Sequence, residues 1–396
     1  YPLITTIYIN KIFSVKLIGE VSFSLSIVTI FISLSSLGIA SYGTREIAKN
    51  RNNKEKMSKI FSELLFLNFI SVIFFLLLYF SVISFFPSLQ QYLKIFIILS
   101  LNLFMSIFSL EWFYIGLEEY EYITKRSILT KIISFIFMVI FIKSEKDIYL
   151  YVIFLISGIS LNGIFNIYNS RKYVEISFEK LELKKYINLL KYFYFQVIMG
   201  CLYNGTDQVI LGLNSTKDQV AYYARSRQLI SVIVAISLSF ANNKIESKKE
   251  YKKLVNLSFD FTCFLSFPFL IGTLLLSENL LYIIGKDKFL QGTNILRILA
   301  GLLIVTLGAV FLNTNISIPH NKEKNTFYGN IGVMIVSVVI SLLLTEKYGG
   351  IGSAIAIIIG EFIGVLIQLF FIKKQNLYLG FVSKNTIKYL VSALVM

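Results

Sequence analysis

The chain has 396 residues, 56% of them hydrophobic and only 15% charged, with a mean hydropathy of +0.71. Soluble domains carry about 25% charged residues, so no soluble fold could hide this much apolar surface, and lipid must be the solvent for most of the chain. The net charge of +15 invites a nucleic-acid partner, but the basic residues lie in short loops between apolar runs, with no Gly-rich phosphate loop, zinc spacing or soluble nucleic-acid module, so nucleic acid is excluded.

A spanning helix needs roughly 20 apolar residues. The first run, 1–14, reads as the tail of a longer helix, and 20–42, 60–86, 93–115, 127–143 and 148–169 follow. After a polar segment at 170–188 come 189–212, 220–241, 255–277, 292–315, 327–345 and 350–373, and another run begins near 385. The chain starts at Tyr1 rather than Met and stops inside an apolar run, which reads as trimming at both ends; no cleavable signal pattern opens it. Cys201 and Cys263 lie in separate apolar runs without metal-ligand spacing, and His320 reads as a solvated loop residue.

Orientation follows from Lys and Arg in the loops. The loops starting at 44, 169, 242, 320 and 373 carry roughly three times the basic residues of the loops between them, which places the basic set in the cytoplasm and the N-terminus with it. The outer loops are all short, which excludes a large extracytoplasmic catalytic domain. Phe178, Leu181, Leu183 and Ile187 give the 170–188 segment an amphipathic cast, and it reads as a cytoplasmic linker along the membrane surface. The flanking halves read as copies. "GEVSFSLSIVTIFISLSSLGIA" and "DQVAYYARSRQLISVIVAISLSFA" stand about 200 residues apart, six helices on, and each ends in a basic loop. The predicted fold is all-α and polytopic, with about 12 transmembrane helices, plus the start of another, in two six-helix bundles around a central cavity. The bundles are 1–169 and 189–373, with 170–188 as the amphipathic linker and 374–396 as a cytoplasmic loop and the start of a further helix.

Charge inside a bilayer costs about 2.5–3.5 kcal/mol on insertion scales, so the charges that survive there usually face a cavity or a partner. The candidates are Glu111, Lys131, Asp207, Arg225, Arg227, Asp260, Arg297 and Glu361, with Gln196, Asn204, Asn313 and Asn315 as uncharged polar groups. Asp207 lies within about one turn of Asn204 and Gln208 and reads either as a proton, cation or sugar site or as an acid paired with a base from elsewhere. Arg225 and Arg227, two residues apart, point to different faces; one could grip an anionic head group while the other reaches the interface. Lys131 reads as a snorkelling residue, Arg297 as interfacial, Asp260 as paired with the basic loop before it, and Gly360 and Gly364 imply tight helix packing beside Glu361. In "SLEWFYIGLEEYEYITKRS", residues 109–127, Trp112, Tyr114, Tyr120 and Tyr122 read as an interfacial belt, while Glu111 stands at the inner mouth of the cavity.

Five stretches in order carry a resemblance: the one from 18 through "YGTRE", "EWFYIGLEEYEYITKRSI" from 111, "TDQVILG" with "AYYARSRQLI" from 206, "GKDKFLQGTNILRIL" from 285 and "KYGGIGSAIAIIIGE" from 347. The chain resembles the polysaccharide-transporter, or O-antigen flippase, branch of the multidrug/oligosaccharidyl-lipid/polysaccharide (MOP) exporter superfamily. The resemblance implies a bacterial inner-membrane flippase, not an enzyme, that moves undecaprenyl-pyrophosphate-linked oligosaccharide repeat units from the inner to the outer leaflet by alternating access. It implies lipid-linked oligosaccharide, membrane lipids and polymerase machinery as partners, and no cofactor. Arg45, Glu46, Glu111, Asp207, Arg225 and Arg227 would line the cavity, with Asp207, Glu111 or Glu361 coupling a proton or sodium ion. The chain departs from the family at "SFANNKIES", where a Pro-containing stretch is expected. The competing readings are a drug/cation antiporter of the same superfamily, a membrane glycosyltransferase or polymerase, and a structural scaffold.

Overall fold

A computed structural model describes residues 2–179, 181–241, 251–378 and 384–395, with side chains for all of these except 202–204, 236–241, 384–385, 387 and 394. Among the described residues every regular element is a helix. The chain forms two compact units, Tyr1–Gly205 and Thr206–Met396.

The first unit holds α1 (Pro2–Ile12), α2 (Val15–Ser35), α3 (Ile39–Lys49), α4 (Lys54–Phe85), the single turn α5 (Pro87–Gln90), α6 (Leu93–Met105), α7 (Glu111–Leu117), α8 (Tyr120–Phe141), α9 (Ile148–Ser170) and most of α10 (Lys184–Asn214). The second holds the end of α10, then α11 (Lys217–Ala241), α12 (Tyr251–Leu275), α13 (Ser277–Gly285), α14 (Thr293–Leu299), α15 (Leu302–Phe311), α16 (Lys324–Tyr348), α17 (Gly350–Lys374) and α18 (Lys384–Val395). Among the described residues, eight stretches are long and apolar enough to cross a membrane, including Val15–Ser35, Lys54–Phe85, Glu145–Ser170 and Gly350–Lys374. The other expected runs fall on α1, α8, α10 and α11, which are helical as well. Large apolar side chains such as Phe74, Leu77, Phe85 and Leu343 stand exposed on these helices, as lipid-facing side chains must.

The expected span 20–42 is interrupted. Leu37 and Gly38 take positive φ, and a Cβ on Gly38 would lie 2.6 Å from the Phe193 carbonyl carbon, so glycine meets both the backbone angle and the close approach. The chain leaves α2 there and enters α3, a short amphipathic helix whose Gly43 sits under the Trp112 ring.

Packing follows the same order in both units. In the first, α2 lies against α4 and α6, α6 against α9, and α8 against α9. In the second, α11 lies against α12, α14 and α15, α15 against α17, and α16 against α17. This is the order a sequence repeat with an offset of six helices calls for.

The α16–α17 hairpin is the closest pairing. Gly349, at φ +55°, turns the chain, and the Gly350 N–H donates to Gln219 Oε1 at 3.0 Å. A Cβ on Gly360 would lie 2.9 Å from both Ser337 Cβ and the Val333 carbonyl oxygen, and one on Gly364 would collide with Val333. The tight packing expected around Gly360 and Gly364 is therefore present. Gly360→Val should cost about 1–3 kcal/mol through overpacking. Thermal melting of the purified protein in detergent would read it, and an unchanged midpoint would mean the helices separate freely.

Candidate functional site

Charged side chains gather at three places within the units. In the second unit, Asp207 lies near the end of α10, while Tyr223 and Arg227 stand one turn apart on one face of α11. The Tyr223 hydroxyl donates to Asp207 Oδ2 at 2.6 Å, and Arg227 Nη1 reaches the same oxygen at 2.9 Å and the Tyr223 oxygen at 3.2 Å. The other carboxylate oxygen accepts the Gln208 N–H at 2.7 Å. Asp207 and Tyr223 are buried and Arg227 nearly so. Asp207 therefore has a base from the neighbouring helix as its partner. Arg225 points elsewhere, as the spacing required: its Nη1 donates to Gln228 Oε1 at 3.1 Å, and its buried Nε has no hydrogen-bond partner. The side chain of Asn204 lies outside the described residues.

In the first unit, Arg45 and Glu46 of α3 pair with each other at 3.2 Å, and Lys49 reaches Glu46 at 3.1 Å. The Arg45 guanidinium lies over the rings of Tyr42 and Phe193, 5.4 and 5.2 Å from their centroids. Tyr42 meets Tyr186 edge-on at 5.7 Å. Tyr186 leads to Glu63, which the sequence reading overlooked. Glu63 is fully buried on α4 and accepts the Tyr186 hydroxyl at 2.7 Å, the Glu182 N–H at 3.0 Å and Lys185 Nζ at 2.7 Å. The rule that singled out Glu111, an acid inside an apolar run, applied equally to Glu63.

These contacts also place the polar segment between α9 and α10. Residues 174–178 have no regular structure and lie along the start of α4, where the Glu175 and Ser177 amides donate to Ser58 and Ser62 at 3.0 and 3.1 Å. Lys54 pairs with Glu175 at 2.7 Å, and Lys59 with Glu182. Hydrogen bonding to Lys54 holds the Glu175 carboxyl below its usual range, and Lys59, then Lys185, do the same for Glu182.

The third place is the stretch at 109–127. Trp112 and Tyr114 are buried, which corrects the interfacial-belt reading for both. The chain breaks after α6 in a 3-10 turn, Ser106–Phe108, and restarts as α7, which turns these rings inward. Trp112 covers Gly43, and Tyr114 donates to the Asn166 carbonyl at 2.6 Å. Tyr120 stays exposed. Glu111, half-exposed, pairs at 3.0 Å with Arg126, whose buried guanidinium also donates to Asn166 Oδ1. Arg126 is not among the candidates that the sequence singles out. Its burial depends on the rotation of α8 against α9, which an apolar helix does not advertise.

The remaining candidates stand apart. Glu361 is buried, with the Thr306 hydroxyl 3.5 Å away. Asp260 accepts the Thr386 hydroxyl at 2.8 Å. Arg297 pairs with Glu278 at 3.2 Å, and Lys131 is exposed. Asn313 accepts the Thr326 hydroxyl at 2.8 Å, and Asn315 lies in a π-helical turn, Leu312–Ser317. His320 is half-buried against the Tyr251 ring, with Nδ1 2.8 Å from the Ile316 carbonyl oxygen, and so is less solvated than expected. Both cysteines are buried free thiols, and the described residues contain no group of three His, Cys, Asp or Glu side chains placed to hold a metal.

Two helical units with apolar spans and paired charges buried within them define a polytopic membrane transporter. Solved transporters share this fold. The lipid II flippase MurJ in an inward-closed conformation superposes with a TM-score of 0.74 at 16% identity, over 99% of this chain and 90% of that one. An inward-facing multidrug resistance MATE transporter of the MOP superfamily gives 0.68 at 12% identity, over 91% and 93%. A Shigella dysenteriae protein described as an O-antigen transporter is 27% identical over 391 residues, 94% of this chain and 95% of its own. The polysaccharide biosynthesis protein family model matches residues 1–243, and the chain belongs to that family.

Proposed function

We propose that this protein is a flippase that moves undecaprenyl-pyrophosphate-linked oligosaccharide repeat units from the inner to the outer leaflet of the bacterial plasma membrane, by alternating access. The observation that carries the reading is a partly buried, acid-paired arginine, Arg227, in a member of the polysaccharide biosynthesis family. A sugar-pyrophosphate cannot cross hydrocarbon unaided, because each unpaired charge or polar group is expensive there. A guanidinium offers bidentate contacts to phosphate and so lowers that cost without covalent chemistry.

Asp207 holds Arg227 in the absence of substrate. A pyrophosphate would compete with the carboxylate for the same guanidinium, and protonating Asp207 would free Arg227 for it. Proton binding and head-group binding are thereby linked at one site, which favours Asp207 over Glu111 and Glu361 as the coupling residue. Transport needs differential affinity of substrate for the two states, which this exchange supplies. On this reading the chain performs no reaction, its N-terminus is cytoplasmic, and the polymerase machinery takes up its product.

The test is the leaflet location of the lipid-linked repeat unit in cells with and without the protein. Inner-leaflet accumulation without it should be relieved by wild type and not by Asp207→Ala or Arg227→Ala. An unchanged distribution, with resistance to cationic drugs conferred instead, would replace this reading with the antiporter.

A further inference from the structure

A second feature of the first unit lies outside the transport proposal. On α8, Tyr122, Lys125, Arg126 and Leu129 fall at i, i+3, i+4 and i+7, so they share one face. With Phe165, Tyr168 and Asn169 on one face of α9 they enclose a cleft of about 330 Å³, within the range of ligand pockets. Most of its walls are ring and aliphatic surface, and two cations, Lys125 and Arg126, line it.

The cations are held differently. Arg126 is 95% buried by its 5% exposure, and its guanidinium lies 5.5 Å from the Tyr122 ring centroid. Its terminal nitrogens are engaged by Asn166 and Glu111, but Nε is buried without a hydrogen-bond partner. That atom is enclosed by protein, so Arg126 acts on the cleft through its charge rather than through Nε. Lys125 is the reverse. It meets Glu121 in a fully surface pair, 76% and 78% exposed, and such pairs contribute little and exchange easily. Lys125 can therefore leave Glu121 for a better anion at the cleft.

Beyond the cleft, Leu129, Ile132, Ile136 and Ile140 continue along α8 as one exposed apolar stripe. An anion with a hydrocarbon tail fits this arrangement: the phosphate meets Lys125 at the rim with the Arg126 charge behind the cleft wall, the head sits against the aromatic walls, and the tail follows the stripe. The stripe faces lipid in the bilayer, so a head group bound at the cleft would lay its own tail along it. We infer that the α8–α9 cleft binds an acidic glycerophospholipid, the kind of basic, interhelical head-group pocket that membrane electrostatics favours.

The full-length protein, purified in detergent and stripped of lipid, would be titrated with phosphatidylglycerol and followed by native mass spectrometry. Phosphatidylglycerol should be retained over phosphatidylcholine. Lys125→Glu should weaken retention at least about fivefold, and Leu129→Trp, which fills the cleft from an exposed position, should abolish it. Both positions are exposed, so the fold does not depend on them, and thermal melting would verify this. Equal retention of the two lipids, or wild-type retention in both folded variants, overturns the inference. Displacement by inorganic phosphate alone reassigns the cleft to a free anion, and preferred retention of a polyprenyl phosphate overturns the glycerophospholipid; either result defeats the proposal as stated.

Discussion

Asp207→Ala is expected to destabilise the protein by about 3 kcal/mol and to abolish transport, and the two losses should separate in a second variant. The substitution leaves the partly buried Arg227 without its carboxylate and the buried Tyr223 without its acceptor. Breaking a buried pair is expensive because the surviving charge keeps its desolvation cost, whereas removing both members often is not. Asp207→Ala with Arg227→Met should therefore recover most of the thermal stability lost in the single variant. Transport should stay absent, because the guanidinium that would receive the pyrophosphate is gone. Melting curves and leaflet assays on the same preparations give both readouts. A double variant that transports would remove Arg227 from the substrate path; a double variant no more stable than Asp207→Ala would show that the pair is not what the acid supports.

Glu63→Gln should loosen the segment between α9 and α10 while α4 stays helical. The amide keeps the shape of the side chain but gives up the charge that Lys185 and the Tyr186 hydroxyl meet, at a cost of about 1–3 kcal/mol. Amide hydrogen exchange at 175–186 should quicken, with little change in α16 or α17. Acid should act in the same direction. Glu175 and Glu182 have carboxyls held below their usual range by Lys54 and Lys59, so their contribution is fully present above the unfolded value and is lost as pH falls through the folded one. Protection of this segment, measured against the intrinsic exchange rate at each pH, should therefore fall below about pH 4 in the wild type. Protection that does not change between pH 6 and about pH 3 would show that the lysine pairs contribute nothing.

The broad architecture was legible because lipid imposes simple rules. A run such as 60–86 has to become a helix, and α4 covers it. The Gly360–Gly364 packing was legible because only glycine allows that approach. Two kinds of feature escaped. Breaks inside spans depend on a few backbone angles, such as Gly38 within 20–42 and the turn that sends Trp112 inward. Partners depend on how each helix is rotated, and helices that are apolar on every side leave no stripe from which to read rotation. Asp207 and Arg227 were both singled out, but not joined. Glu63, Arg126 and Tyr186 were not singled out at all, although burial makes them central to the first unit.

The length of α4 has one more consequence. Its 32 residues extend about 48 Å at 1.5 Å each, while the hydrocarbon of a bilayer is only about 30 Å thick. The excess is about a dozen residues, and the polar end, with Lys54, Glu55, Lys56 and Lys59, is where it falls. So α4 overshoots the membrane like a mast, and Glu63 stands near the waterline. What meets that carboxylate is the protein's own Glu182, Lys185 and Tyr186 rather than lipid, which is why a fully buried acid can keep three donors there at once.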